Sequence, residues 1–125
     1  MRLVNKLVIQ AAADNLEDVA AFLEARLDEA ECPAKAQREL ELAVGEIFLS
    51  IAKHAYAPKV GMTEISVEID DDRLVRISFS DKGLPCDPMQ NNDGKLGTDF
   101  IKELADDIRY ERSGCRNILT LEKRI

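Results

Sequence analysis

The chain has 125 residues, 46% of them apolar and 33% charged, which is the size and balance of one folded domain. That length excludes a TIM barrel, a dinucleotide-binding enzyme with a separate substrate domain, and a repeat array. With 17 Lys and Arg against 24 Asp and Glu the formal net charge is -7, which argues against nucleic acid, whose binders need a basic face to displace counterions. An anionic ligand must therefore be held by local donors or a metal rather than by the field of the whole molecule. The three cysteines, Cys32, Cys86 and Cys115, are odd in number and show no CxxC spacing, so neither a disulfide framework nor a zinc knuckle is indicated. The N-terminus has no signal-peptide apolar region, and no stretch approaches the ~20 apolar residues of a membrane span. The expectation is one soluble, cytoplasmic domain over residues 1–125.

In chain order, Leu7-Val8-Ile9 is a short apolar run of strand type. Asp14 stands three residues before Glu17, a capping-box spacing, and Leu16, Val19, Ala20, Leu23, Leu27 and Ala30 then recur at three and four residues, which predicts an amphipathic helix over about 14–31. Cys32-Pro33 breaks it, and Pro33 suits the first turn of a second helix over about 34–56. On that helix Leu40, Val44, Ile47, Phe48, Ile51, Ala52 and Ala55 fall on one face, and Glu39, Glu46, Ser50, Lys53 and His54 on the other. Ile65, Val67 and Ile69, then Val75, Ile77 and Phe79, alternate with polar residues across Asp71-Asp72, which predicts a hairpin with one buried face. Residues 82–98 hold three of the six glycines and two of the four prolines and read as a long loop, a length usually functional or mobile. Leu96, Phe100, Ile101 and Leu104 make a short third helix, and Ile108–Glu111, a turn at Ser113-Gly114 and Asn117–Lys123 make a closing hairpin. The predicted fold is an α+β two-layer sandwich: a mixed, mostly antiparallel sheet of about five strands with three helices covering one face.

Three constellations bear on chemistry. Glu46, Ser50, Lys53 and His54 stack along one ridge of the second helix, and on periodicity alone a solvated face is the favoured account of them. Asp81 leaves a strand into Lys82-Gly83-Leu84-Pro85-Cys86-Asp87-Pro88; this is the chemistry of an Asx turn, and also of a carboxylate placed to accept from an exocyclic amine beside a glycine that admits a planar base. Gly94-Lys95-Leu96-Gly97 opens the third helix, where backbone amides and the helix dipole favour phosphate oxygens; it is neither a Walker loop nor a dinucleotide fingerprint.

Taken in order, Glu46 to Tyr56, Asp81 to Pro88, Gly94 to Gly97 and the closing Arg109–Leu121 stretch resemble the ATP-binding domains of the superfamily that includes gyrase, histidine kinases and mismatch-repair ATPases. Within it the chain is most similar to the compact anti-sigma-factor serine/threonine kinases, over essentially its whole length. The resemblance implies the ATP-site (Bergerat-type) fold, with ATP and Mg²⁺ as cofactors. It implies Glu46 as general base, Asp81 on the adenine amino group, Gly83 admitting the base, Thr120 completing the adenine contact, and Gly94, Lys95, Leu96 and Gly97 as a lid over the phosphates. Its partners are a sigma factor or similar regulator and a small antagonist whose serine is phosphorylated; it implies neither nucleic acid nor membrane, and the branch commonly forms homodimers. Ser50 stands where the family has an Asn that ligates Mg²⁺, and Cys86 where it usually has an aromatic. A Ser hydroxyl is also a hard oxygen donor but reaches less far, so the metal must shift or take a bridging water, and phosphoryl transfer is more exposed to this change than binding. The alternative that Ser50 raises is a regulatory module of the same fold that binds nucleotide, or protein alone, without transferring phosphate.

Overall fold

The computed structural model of the protein describes residues 3–54, 61–83 and 97–125. Strand β1 (Leu3–Gln10) leads through a 3₁₀ turn (Ala13–Asn15) into α1 (Leu16–Glu29) and α2 (Ala34–His54). The hairpin β2 (Met62–Ile69) and β3 (Leu74–Asp81), helix α3 (Gly97–Leu104), and the hairpin β4 (Asp107–Ser113) and β5 (Arg116–Arg124) follow. The sheet order is β1-β2-β3-β5-β4, and every neighbouring pair is antiparallel, so the expected mixture of parallel and antiparallel pairs is not found.

Period-two alternation produces this sheet. Residues 63, 65, 67 and 69 of β2 are buried, and 75, 77, 79 and 81 of β3 likewise, while their neighbours are partly open. Directly opposed residues of an antiparallel pair share a face, so Ile65 with Phe79, Val67 with Ile77, and Ile77 with Leu121 align one apolar side. Against it α2 lays Leu40, Ala43, Val44, Ile47, Phe48 and Ile51, α1 lays Val19, Leu23 and Leu27, and α3 lays Ile101 and Leu104, all in one buried cluster. On the other side Arg76 of β3 sits between Glu68 of β2 and Glu122 of β5, at 2.7 Å from each, and Glu122 also takes Arg109 of β4 at 2.9 Å. This charged ladder keeps that side of the sheet polar.

Three local findings refine the sequence reading. The capping-box expectation at Asp14 fails: Asp14 lies inside the 3₁₀ turn, Asn15 is the N-cap, and no side chain caps the helix. The Asn15 amide instead donates back to the Gln10 carbonyl at 3.0 Å, fixing the strand-to-helix corner. Strand β1 is also longer than its apolar core Leu7-Val8-Ile9, because pairing with β2 carries Leu3 to Gln10 into register. The β2–β3 turn is closed by Asp70, whose Oδ1 accepts from the amides of Asp72 (2.9 Å) and Leu74 (3.1 Å). It places Arg73 in the left-handed region at φ 67°, from where its guanidinium donates to the carbonyls of Ala30 (2.6 Å) and Glu31 (3.2 Å), past the end of α1. At the other hairpin Gly114, at φ 60°, occupies the first position of the two-residue turn, a conformation glycine adopts without steric penalty.

Candidate nucleotide site

Three polar side chains are buried among the described residues: Thr63, Asp81 and Asn117. They form one cross-strand row, because Asp81 is in register with Thr63 on β2 and with Asn117 on β5. All three lie on the helix-covered side of the sheet, in phase with Ile65, Phe79 and Leu119, at the end where β3 stops. A polar row at the end of an apolar face needs internal partners, since a buried polar group without a hydrogen bond costs roughly 1–3 kcal/mol. Thr63 donates its hydroxyl to the Ser80 carbonyl at 3.2 Å. Asp81 Oδ1 accepts from the Gly83 amide and from Asn117 Nδ2, both at 2.9 Å. The amide oxygen of Asn117 in turn accepts from the Tyr110 hydroxyl and from Arg112 Nη1 (3.2 Å), and the same Arg112 atom donates to the Gly83 carbonyl at 2.8 Å. No donor among the described residues reaches Asp81 Oδ2. An ionised carboxylate only accepts, so this row presents a fixed acceptor for an N–H group.

The residues singled out from the sequence divide among these elements. Asp81 and Gly83 are joined by the Asx-type hydrogen bond, and both are buried. Glu46 and Ser50 lie one turn apart on α2, both half-buried, beside Ile47 and Ile51 that enter the core; Lys53 is exposed. The Ser50 hydroxyl is a hard oxygen donor of the kind that Mg²⁺ takes. Gly97 is the first residue of α3, whereas Gly94, Lys95, Leu96 and Cys86 lie outside the described residues. Thr120 is not brought together with Asp81. It stands opposite Ser78, whose hydroxyl lies 3.4 Å from its own, on the side of the sheet that carries Arg76 and Glu122. It lies three positions after Asn117, an odd offset, so strand alternation turns it away from Asp81. Asn117 holds the position beside Asp81 instead. Its signal in the sequence is its phase with Leu119 and Leu121, but only the register ties it to Asp81.

A family model for the histidine kinase-like ATPase domain matches residues 9–123. The chain belongs to the histidine kinase-like ATPase domain family. No curated protein matches it in sequence. Among solved structures this ATPase domain is similar to the RsbU and RsbW domains of Rv1364c from Mycobacterium tuberculosis, with TM-score 0.77 and 20% identity, over 98% of this chain and 32% of that one. It is also similar to the histidine kinase domain of the blue-light activated histidine kinase from Erythrobacter litoralis EL346, with TM-score 0.63 and 17% identity, over 89% of this chain and 59% of that one. At such identities the likeness is one of fold, and the chain spans about a third of the first structure and three-fifths of the second. The ATPase domain has no helix among the described residues long and apolar enough to cross a membrane. Nor do the described residues contain a group of three or more His, Cys, Asp or Glu side chains placed to hold a metal.

Proposed function

We propose that this domain binds ATP with Mg²⁺ and transfers the γ-phosphoryl group to a serine of a small antagonist protein, while also binding a sigma factor or similar regulator. The observation that carries the nucleotide reading is the buried Thr63–Asp81–Asn117 row, in which no donor among the described residues takes the second carboxylate oxygen of Asp81, the atom that would accept from the adenine amino group. The family match and the fold shared with the RsbW-containing structure support the regulatory reading.

In this reading Asp81 binds the base and Gly83 allows it to approach the backbone closely. The reading assigns Gly94, Lys95, Leu96 and Gly97 to a lid over the phosphates, where backbone amides and one lysine would neutralise charge. Ser50 would hold Mg²⁺, directly or through water; when bound, the ion neutralises phosphate charge and aligns the leaving group. Glu46 is the general base. Its carboxylate takes the proton of the incoming serine hydroxyl as the new O–P bond forms, and the bond between the γ-phosphorus and the bridging oxygen breaks to release ADP. Release of one partner follows from competition between regulator and antagonist for the same domain, in the cytoplasm. The net charge of -7 suits protein partners rather than nucleic acid, and no membrane contact enters the cycle.

The second reading, a regulatory module that binds nucleotide or protein without phosphoryl transfer, rests on Ser50 in place of Asn. Binding is tested first. ATP or ADP with Mg²⁺ is expected to raise the melting temperature of the purified chain, and Asp81→Asn to abolish the shift while the ligand-free protein still unfolds cooperatively. Absence of any nucleotide-dependent shift in the unmutated chain overturns the binding reading.

A further inference from the structure

We infer that Asn117, oriented by Tyr110 and Arg112, is the positioning residue that holds the Asp81 carboxylate as a fixed acceptor, and that it thereby sets discrimination between a 6-amino and a 6-oxo purine. The inference rests on the nucleotide-binding reading and extends it to a residue that touches Asp81 rather than the ligand.

The argument begins with the amide. Asn117 has one end that donates and one that accepts, and its two orientations differ only in which end faces Asp81. Arg112 resolves the choice, because a guanidinium has donors alone. With Arg112 Nη1 at 3.2 Å the amide oxygen must face the guanidinium, so the NH₂ group faces Asp81 Oδ1, at 2.9 Å. Tyr110 donates to the same amide oxygen and reinforces that orientation. The reversed amide would set NH₂ against the guanidinium and an oxygen against the carboxylate.

The consequence falls on Asp81. Its Oδ1 is held from two sides, by Asn117 of β5 and by the Gly83 amide of its own chain segment. Rotation of the carboxylate would break both bonds in a site where Asp81 and Asn117 are each only 3% exposed, and little water is there to replace them. Gly83 is itself tied to Arg112 through its carbonyl at 2.8 Å, so the same guanidinium steadies both donors to Oδ1. Oδ2 is thus presented in one orientation. A 6-amino purine offers it a donor; a 6-oxo purine sets a carbonyl oxygen against it. A site with a buried acceptor built for an N–H discriminates strongly against an analogue lacking that group. Without the clamp the carboxylate can turn away from the 6-oxo group, and the discrimination falls.

The test compares ADP with IDP, each with Mg²⁺, by titration calorimetry on the full chain. The unmutated chain is expected to bind ADP at least about 100-fold more tightly than IDP. Asn117→Leu, which removes the donor at similar volume, is expected to weaken ADP binding roughly tenfold and to change IDP binding less than about threefold, since one charge-assisted hydrogen bond is at stake. Asn117→Thr, which restores a donor, is expected to recover most of the ADP-to-IDP ratio. Arg112→Met, at an exposed position, keeps the clamp testable if Asn117→Leu does not fold, and is expected to lower the ratio by letting the amide turn. A merely structural role for Asn117 would lower both affinities in step with the melting temperature. Folded Asn117→Leu or Arg112→Met protein with an unchanged ratio overturns the inference while the nucleotide reading stands. An unmutated chain that binds neither nucleotide overturns both.

Discussion

At the scale of single residues, Ser50 separates the two proposed functions. It lies one helical turn after Glu46, so the proposed base and the proposed metal donor share one rigid element and their spacing does not depend on a loop. An Asn carbonyl at this place would extend further from the helix than the Ser hydroxyl. We therefore expect Ser50→Asn to keep or raise Mg²⁺-dependent phosphoryl transfer to a cognate antagonist and to lower the Mg²⁺ concentration for half-maximal rate roughly tenfold, as one well-placed ligand would. Transfer of labelled γ-phosphate across a Mg²⁺ series measures it. Equal inactivity of both proteins with that substrate present would favour the module that binds without transferring phosphate. Neither outcome bears on the role proposed for Asp81.

At the scale of elements, the β2–β3 turn connects the sheet to the end of α1. The Asp70 carboxyl is held below its usual range first by the Leu74 amide; desolvation opposes this, and the Asp72 amide, Arg124 and Arg76 add to the lowering. A depressed folded-state pKa contributes stability that is fully present above the unfolded value, near 4, and is lost as pH falls through the folded one. Asp70→Ala is accordingly expected to melt lower than the unmutated chain at pH 7, with the gap narrowing below about pH 4. A gap that widens in acid would contradict this account; melting temperatures from pH 7 down to 2.5 decide it. The turn shows where sequence reading reaches its limit. Asp71-Asp72 marks a turn by composition, but the left-handed Arg73 and its bonds to Ala30 and Glu31, 43 and 42 residues away, depend on how α1 packs against the sheet.

At the scale of the whole molecule, one apolar layer holds three helices to one face of five strands. Phe48 stands among its largest wholly buried side chains. Phe48→Ala is expected to lower the unfolding free energy by about 3–5 kcal/mol, a large share of the roughly 5–15 kcal/mol of an ordinary domain; urea unfolding measures it. Much of this architecture was legible in the sequence. The spacing of Leu40, Val44, Ile47, Phe48 and Ile51 dictated α2 and its buried face, and alternation dictated β2, β3 and β5, because both periodicities are local consequences of backbone geometry. Asp81 and Gly83 were legible as a carboxylate-glycine pair leaving a strand, and Glu46 and Ser50 as one ridge of α2. The failed capping box at Asp14 had the right spacing, but Asn15 took the corner by bonding to Gln10 at the end of β1. Thr120 shows a related limit. A strand's pattern states which residues share a side, but not which residue of a distant strand stands opposite. That pairing follows from how the chain closes the sheet, and it sets Asn117 rather than Thr120 beside Asp81. The sequence alone therefore determined the elements, their buried faces and the anionic surface, all properties of neighbouring residues. Tertiary structure alone decided the register, and with it the Tyr110–Asn117–Arg112 clamp, because those hydrogen bonds join groups that come together only when β3, β4 and β5 pair.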